Sequence, residues 1–509
     1  MIERLIDFSI RRRWLVLVAV LAVAALGLWN YGRLPIDAVP DVTNVQVQIN
    51  TAALGYSPLE TEQRITFPVE TAMAGLPHLD FTRSLSRYGL SQVTVIFKDG
   101  TDIYFARQLI SERIAQIKDQ LPPGVTVEMG PISTALGEIY MWSVEAKEGA
   151  KNEQGQPYSS TDLRTIQEWI IKPQMRNVPG VIEINSIGGY EKQYDVTPRP
   201  ERLVSYGLSF RDVMDALMRN NANVSAGYIE RNGEQYLIRV PGQVAGVEDI
   251  EQIIVGGGEG VPIRIRDVAD VGLGKELRTG AATLNGKETV IGTALMLMGE
   301  NSRAVADRVD VKMKEINRSL PPGVTARTLY TRTKLVDATI DTVKKNLFEG
   351  ALLVMAILFA LLGNWRAALI TTFVIPLSMM FAITGMVTNK VSANLMSLGA
   401  LDFGLIVDGA VIIVENCMRR LTNEQARLGR VLSHEERLRT VREATKEVIT
   451  PSIFGAIIIM VVYLPILALQ GVEGKMFVPM AATVLLAIEA RASFTYRLRS
   501  FVLRFSGAL

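Results

Sequence analysis

The uneven distribution of apolar residues constrains this 509-residue chain more than any other feature. One apolar run covers residues 14–29, and no comparable run occurs again before about residue 345. Further apolar runs follow at 346–362, 367–387, 391–417 and 448–469, and another begins at 476–488. Because a helix needs about 20 apolar residues to cross a bilayer, this pattern predicts a polytopic α-helical membrane protein with six spans, the last of them incomplete.

Basic residues predict the orientation of these spans. Three arginines at 11–13 precede the first run, and the segment 418–446 is rich in Arg and Lys. Since cytoplasmic segments carry the excess of Arg and Lys, both are predicted to lie in the cytoplasm, and residues 32–344 outside it. A cleaved signal peptide is the alternative for the first run, because residues 22–24 resemble a cleavage site, but the later spans favour an anchor.

The long segment between the first two spans is predicted to be an α+β insert. Residues 90–97 have the pattern of a strand, which leads through a turn to a helix at 102–120. Asn232-Gly233 and Asn285-Gly286 each lie between β-rich runs and are typical of type I′ hairpins.

An internal repeat divides this insert. The sequence Leu-Pro-Pro-Gly-Val-Thr occurs at 121–126 and again at 320–325, each time after an amphipathic helix and before a strand. Two related βαβ subdomains are therefore predicted, with a third unit inserted in the second. The predicted divisions are 1–31, 32–132, 133–180 together with 275–344, 181–274, 345–417, 418–447, 448–488 and 489–509.

Three carboxylates interrupt the apolar run 391–417, namely Asp402, Asp408 and Glu415. An Asp at the centre of a membrane helix costs about 2.5–3.5 kcal/mol, so such residues usually face a bundle interior or a water path. Asp408 and Glu415 are seven residues apart and share a face, about 10 Å apart along the axis, whereas Asp402 projects about 120° away. A desolvated carboxylate can load and release a proton, so the pattern predicts proton carriage. For Glu415 alone, snorkelling to the interface is the alternative.

Composition and missing motifs exclude several classes of function. The net charge is +2, which gives no reason to expect a nucleic-acid partner. Cys417 is the only cysteine and there are two histidines, so a transported metal would be held mainly by oxygen ligands or Met sulfur. An ATP-driven pump is the alternative from another class, but the glycines and lysine at 471–475 do not have P-loop spacing. No bound cofactor is predicted.

The stretch 402–416 resembles the signature helix of the resistance–nodulation–division (RND) exporters, with Asp402-Phe403-Gly404, Asp408-Gly409 and Glu415-Asn416 as the matching residues. It is most similar to their heavy-metal branch, of the cobalt–zinc–cadmium inner-membrane subunit type. The basic residues at 11–13, the segment Leu34-Pro35-Ile36-Asp37 and the large insert before the second span also match. The resemblance covers residues 1 to about 488.

This resemblance implies a secondary transporter, not an enzyme, that exports divalent cobalt, zinc or cadmium by cation/proton antiport driven by the proton-motive force. It implies that Asp402, Asp408 and Glu415 form the proton relay. It also implies two ferredoxin-like porter subdomains and a docking subdomain in the periplasm. The partners would be the lipid of the bacterial inner membrane, two further copies in a homotrimer, a periplasmic adaptor (membrane fusion) protein and an outer-membrane channel.

The transported metal and its ligands are less constrained. Glu138 follows a glycine in an apolar strand pattern, and it is the predicted metal ligand, with a solvated strand-end Glu as the alternative. Hard oxygen ligands suit a divalent ion better than copper(I). Efflux of monovalent copper or silver, and RND export of organic compounds, are the alternative functions.

The C-terminal residues depart from the family pattern. Thirteen apolar residues at 476–488 are followed by Glu489 and a tail with arginines at 491, 497, 499 and 504. A basic surface helix is one interpretation, and a shifted frame or truncated gene after about residue 486 is the favoured one. RND exporters have a second, similar half, so the chain is expected to be an N-terminal half that is inactive alone.

Overall fold

The computed structural model describes residues 12–497, except 38, 135, 241, 259–260, 278–279, 390 and 400–402. Arg11, one of the three basic residues used to predict orientation, lies outside this part. The chain begins with helix α1 (Arg13–Tyr31), which coincides with the first predicted span.

The first unit of the insert is a four-stranded antiparallel sheet covered by helices, with strand order β2-β3-β1-β4. The predicted strand 90–97 is confirmed, as is the helix after it, whose N-cap Asp102 accepts a hydrogen bond from the Phe105 amide at 2.8 Å. The elements are β1 (Val45–Ala52), α2 (Pro58–Thr61), a π-helical turn (Glu62–Thr66), α3 (Phe67–Met73), β2 (Leu79–Arg87), β3 (Leu90–Phe97), α4 (Ile103–Ile117) with a 3₁₀ turn (Lys118–Gln120), and β4 (Thr126–Met129).

The second unit repeats this β-α-β-β-α-β order. Its central strands β14 and β5 pair with each other, β15 flanks β5, and both β13 and β6 pair with β14. The elements are β5 (Glu138–Ala146), α5 (Ser160–Ile166), a π-helical turn (Gln167–Ile171), α6 (Lys172–Arg176), β6 (Val181–Ile187), β13 (Ala282–Leu284), β14 (Lys287–Met296), α11 (Ser302–Ser319) and β15 (Val324–Thr331).

The two copies of Leu-Pro-Pro-Gly-Val-Thr occupy equivalent places in these units. Each follows the second covering helix and leads into the last strand, β4 or β15. Gly124 and Gly323 have φ of 86° and 84°, a left-handed conformation that glycine adopts without the steric penalty of a Cβ. The repeated sequence therefore forms the same kind of turn at equivalent places in the two units.

A third unit lies between β6 and β13 and has its own apolar core of Leu203, Val213, Ile250, Ile265 and Val268. The predicted boundary at residue 181 is displaced, because β6 (Val181–Ile187) pairs with β14 and so belongs to the second sheet. The elements of the third unit are β7 (Lys192–Pro198), α7 (Pro200–Tyr206), α8 (Phe210–Arg219), β8 (Val224–Arg231), β9 (Glu234–Val240), α9 (Val247–Glu251), β10 (Ile254–Gly258), β11 (Val261–Arg264), α10 (Ile265–Val268) and β12 (Ala269–Lys275).

Both predicted type I′ hairpins are confirmed. Asn232 and Gly233 join β8 to β9 with φ of 55° and 79°, and Asn285 and Gly286 join β13 to β14 with φ of 52° and 78°. Positive φ at both central residues is what a type I′ turn requires.

Long helices follow the insert and form an apolar bundle with α1. Within the described residues, four helices are long and apolar enough to cross a membrane, at Trp14–Tyr31, Ala367–Thr388, Glu435–Ala468 and Gly471–Ala490. The six-span count stays a prediction. The elements are α12 (Arg332–Leu362), α13 (Trp365–Thr388), α14 (Leu395–Gly399), α15 (Phe403–Leu428), α16 (His434–Tyr463) with a 3₁₀ turn (Leu464–Ala468), and α17 (Gly471–Arg497).

Several predicted helix boundaries differ from the structure; the span predicted at 346–362, for example, belongs to α12, which begins at Arg332. The prediction that the last apolar run is too short to span is wrong, because α17 begins at Gly471, and Gly471–Ala490 is sufficient in length and hydropathy. Residues 498–509 lie outside the described part. The predicted span 391–417 does not begin as a helix at 391, since residues 391–394 are not helical and α14 (Leu395–Gly399) is the first described helix in it, with α15 described from Phe403. Helices α15 and α16 also extend through most of the predicted cytoplasmic segment 418–447.

Candidate functional site

Helix α15 carries two of the three predicted proton-relay carboxylates, Asp408 and Glu415, on one face. Asp408, Ile412 and Glu415 are exposed, and their spacing of four and three residues makes one stripe along the helix. The opposite face is buried against α12, α13, α16 and α17 through Val407, Ala410, Ile413, Val414 and Cys417.

The predicted geometry of Asp408 and Glu415 is confirmed: they share a face of one continuous helix. That face is not covered by another described helix of this chain, where the sequence predicted carboxylates that face a bundle interior or a water path. Asp402 lies outside the described residues, one position before the first residue of α15. The roles of all three as proton carriers stay predictions.

A polar network just beyond Glu415 joins the middle of this helix to α16, and it was not predicted from the sequence. Asn416 is buried, and its Nδ2 donates to the Ala444 carbonyl at 2.7 Å and to Glu447 Oε2 at 3.2 Å, both on α16. Its Oδ1 accepts from Arg419 Nη2 at 2.8 Å. Arg420 Nη2 donates to the same Glu447 oxygen at 2.9 Å. Asn416 itself was the indication in the sequence, because an Asn at the end of an apolar run must find hydrogen-bond partners for its amide when it is buried.

The predicted metal ligand Glu138 is the first residue of β5 and is exposed. Within the described residues, no group of three or more His, Cys, Asp or Glu side chains is placed so that it could hold a metal ion. Glu138 therefore has no described acidic cluster around it, and its role as a ligand stays a prediction.

Two ion pairs join the membrane helices to the segments outside them. Arg332, at the start of α12, donates through Nε and Nη2 to Asp37 Oδ1 at 2.9 and 2.7 Å, and its side chain is 7% exposed. Burial acts to lower the pKa of Arg332, but the side-chain bond to Tyr330 and the charge of Asp37 raise it above its usual value. Lys475 on α17 pairs with Asp99 at 2.7 Å beside a cavity of about 950 Å³.

The comparison with known proteins identifies the family. Residues 5–495 match the AcrB/AcrD/AcrF family. The chain belongs to the AcrB/AcrD/AcrF family. Its members are RND transporters of the inner membrane, which are secondary active transporters and not enzymes, so the predicted resemblance is confirmed.

Within the AcrB/AcrD/AcrF family, Protein HelA of Legionella pneumophila is 67% identical over 494 residues, a match that covers 97% of this chain and 47% of HelA. Cobalt-zinc-cadmium resistance protein CzcA of Cupriavidus metallidurans is 66% identical over 488 residues, covering 96% of this chain and 46% of CzcA. A crystal structure of a heavy metal efflux pump superposes with a TM-score of 0.85 at 32% identity, covering 97% of this chain and 48% of the pump chain. The chain thus spans about half the length of the curated relatives it matches.

Proposed function

We propose that this chain is part of a proton-driven exporter of divalent metal ions such as cobalt, zinc and cadmium. The single observation that carries this proposal is the stripe of Asp408 and Glu415 on a helix whose other face is packed in an apolar bundle. The substrate class is supported by the 66% identity to a protein named for cobalt, zinc and cadmium resistance.

The proposed mechanism uses the contrast between charged and neutral carboxyl groups. An ionised Asp at membrane depth must face water, a partner or another protein surface, whereas the protonated form tolerates an apolar one. Asp402, Asp408 and Glu415 would take up protons from the periplasmic side and release them to the cytoplasm. Each change of charge alters which surface the exposed stripe of α15 prefers, and this couples proton flow to a change of conformation.

The proposed arrangement places six spans in the bacterial inner membrane, with the N-terminus in the cytoplasm. Residues 32–132, and 133–187 together with 275–344, would be the periplasmic porter subdomains, and 188–274 the docking subdomain. Support comes from the two sheets of equal topology and from the separate core of the third unit. Assembly as a homotrimer with a periplasmic adaptor and an outer-membrane channel is proposed from family membership.

The substrate proposal favours divalent over monovalent ions. The 66% identity to a protein named for resistance to cobalt, zinc and cadmium, whose ions are divalent, supports this. Glu138 is retained as a proposed oxygen ligand, which suits a divalent ion. A complete site would need further ligands beyond Glu138.

The activity is proposed for this chain together with a further segment of similar length, as its relatives have. The carboxylate stripe supports this, because two carboxylates facing lipid are costly and a second protein surface would cover them. This chain expressed alone is expected to confer no metal tolerance.

Metal tolerance in a strain without its own divalent-metal exporters tests the proposal. The gene, expressed with the segment that completes it, should raise the zinc or cobalt concentration that the cells survive. Asp408→Asn should abolish this gain, because an amide cannot carry the proton. Tolerance at the unaltered level in Asp408→Asn would contradict the relay.

The matched control is Glu424→Gln, which removes a half-buried carboxylate from the same helix, where it pairs with the exposed Arg427. Cells with Glu424→Gln should keep full metal tolerance, since residue 424 lies two and a half turns beyond Glu415. Sensitivity to organic compounds, measured in the same strains, separates metal export from drug export.

A further inference from the structure

The hydrogen-bond partner of Arg419, which follows the carboxylate stripe in sequence, suggests a function for Asn416. Arg419 is four residues after Glu415, the spacing and order at which a carboxylate and a guanidinium on one helix pair most readily. The structure shows a different partner: Arg419 Nη2 donates to Asn416 Oδ1 at 2.8 Å. Within the described residues, no ion pair joins Arg419 to Glu415.

We propose that Asn416 is a positioning residue that holds the Arg419 guanidinium away from Glu415 and so leaves that carboxyl able to exchange a proton. This inference rests on the proposed function, because it matters only if Glu415 belongs to the relay. An ion pair with Arg419 would favour the ionised form of Glu415 and oppose proton loading.

The geometry of Asn416 suits this role. Its amide is buried, and its nitrogen is fixed by the Ala444 carbonyl and by Glu447 on α16, so its Oδ1 must point outward along α15. Arg420, the next cation, donates to Glu447 through Nε and Nη2 at 3.2 and 2.9 Å. Both arginines that follow Asn416 on α15 therefore have partners other than Glu415.

The helices that pack against α15 carry further charged groups. Within the described residues, none of these forms an ion pair with Glu415. They are Arg442, Glu443, Lys446 and Glu447 on α16, Glu489 on α17 and the charged residues of segment 332–349 on α12.

The rate of modification of Glu415 by dicyclohexylcarbodiimide tests the inference. This apolar reagent reacts with protonated carboxyl groups, and peptide mass spectrometry of the chain in membranes gives the rate at Glu415. In Asn416→Ala, Arg419 is released to pair with Glu415, and the rate should fall about twofold to fivefold, as expected for a partly exposed ion pair. In Asn416→Ala with Arg419→Gln, the rate should return to that of the unaltered chain.

The control is Arg427→Gln, which removes an exposed cation of α15 that pairs with Glu424 and should leave the rate at Glu415 unchanged. An unchanged rate in Asn416→Ala overturns the proposal. A reduced rate that Arg419→Gln does not restore also overturns it, because the loss is then structural. If Asn416→Ala does not accumulate in membranes, Asn416→Ser provides the same pair of variants, since its hydroxyl is too short to reach Arg419.

This measurement needs neither metal nor transport. The expected labelling pattern without metal export would contradict the proposed function and leave the position of Arg419 established. Metal export without the labelling pattern would contradict only the role of Asn416.

Discussion

Tyr140 shows how a single residue can link the elements of one unit. Its ring is fully buried in the core of the second sheet, and its hydroxyl donates to Asp310 on α11 at 2.9 Å and contacts the Thr328 hydroxyl on β15. Burial, more than the bond to Asp310, raises the pKa of Tyr140 above its usual value, so the hydroxyl stays a donor at physiological pH. A strand, a helix and a second strand are thus joined at one oxygen.

Asp310 should make the stability of this unit depend on acid. The Lys314 ammonium, at 2.8 Å, and the Tyr140 hydroxyl lower the pKa of Asp310 below 3.8. Its contribution is therefore present above pH 3.8 and is lost as the pH falls through the lowered folded-state value. Asp310→Asn should reduce the free energy of unfolding at pH 7 by about 0.5–1 kcal/mol, a small effect because the side chain is 38% exposed.

Thermal unfolding followed by circular dichroism at pH 7 and at acidic pH measures this difference. The gap between Asp310→Asn and the unaltered chain should close in acid. Asp119→Asn, on an exposed turn, is the control and should change neither value. A gap of the same size at both pH values would show that the charge of Asp310 is not its source.

Among the elements, α1 and α13 are in unusually close contact. A Cβ added at Gly27 would collide with the backbone and Cβ of Met380 on α13, so glycine allows the two helix backbones to approach. This contact joins the N-terminal helix, which is separated from the others by some 300 residues of sequence, to the bundle.

Gly27→Leu should separate these two helices and destabilise the bundle by about 1–3 kcal/mol, the usual cost of overpacking. Ala25→Leu is the matched control, because Ala25 is exposed on the same helix and has room for the larger side chain. The thermal unfolding midpoint in detergent should fall for Gly27→Leu only. Equal midpoints for the two variants would mean that α1 does not depend on this contact.

The sequence predicted elements well where local chemistry decides them. The strand 90–97, its following helix and both Asn-Gly hairpins were predictable, because periodicity and turn residues act within a few positions. The first residues of α12 and α16 were not predictable, because each helix begins with several polar turns before its apolar run. Hydropathy marks the part of a helix that meets lipid and says little about where the helix itself begins.

Only part of the candidate site was predictable from the sequence. The shared face of Asp408 and Glu415 follows from helical spacing alone. The partners of Asn416 do not, because Ala444 and Glu447 are about 30 residues away and only the packing of α15 on α16 brings them together. The third carboxylate, Asp402, lies outside the described residues.

For the whole molecule, the important contacts are those between the insert and the bundle. Lys475 on α17 pairs with Asp99 and donates to the Thr43 carbonyl at 3.0 Å, which links a membrane helix to the first sheet. Lys475→Gln should loosen this link and raise amide hydrogen exchange in residues 40–44 and 98–101 about fivefold, the factor for an interaction of about 1 kcal/mol.

Hydrogen exchange followed by mass spectrometry checks this prediction, with Lys98→Gln as the control, because Lys98 is an exposed cation in the same turn. Exchange at the start of α12 should not change in either variant. Unchanged exchange in residues 40–44 after Lys475→Gln would mean that other contacts hold the first sheet to α17.

The second sheet is joined to the bundle differently, since β15 ends at Thr331 and α12 begins at Arg332 with no residue between them. Strand β15 and helix α12 can therefore move together about the ion pair between Arg332 and Asp37 at their junction. The eight residues of β15 reach about 26 Å, so a tilt of α12 by 5° would displace the far end of the strand by about 2 Å. A rotation too small to disturb the packing of the bundle would thus be amplified into a movement as large as the radius of a metal ion's coordination shell.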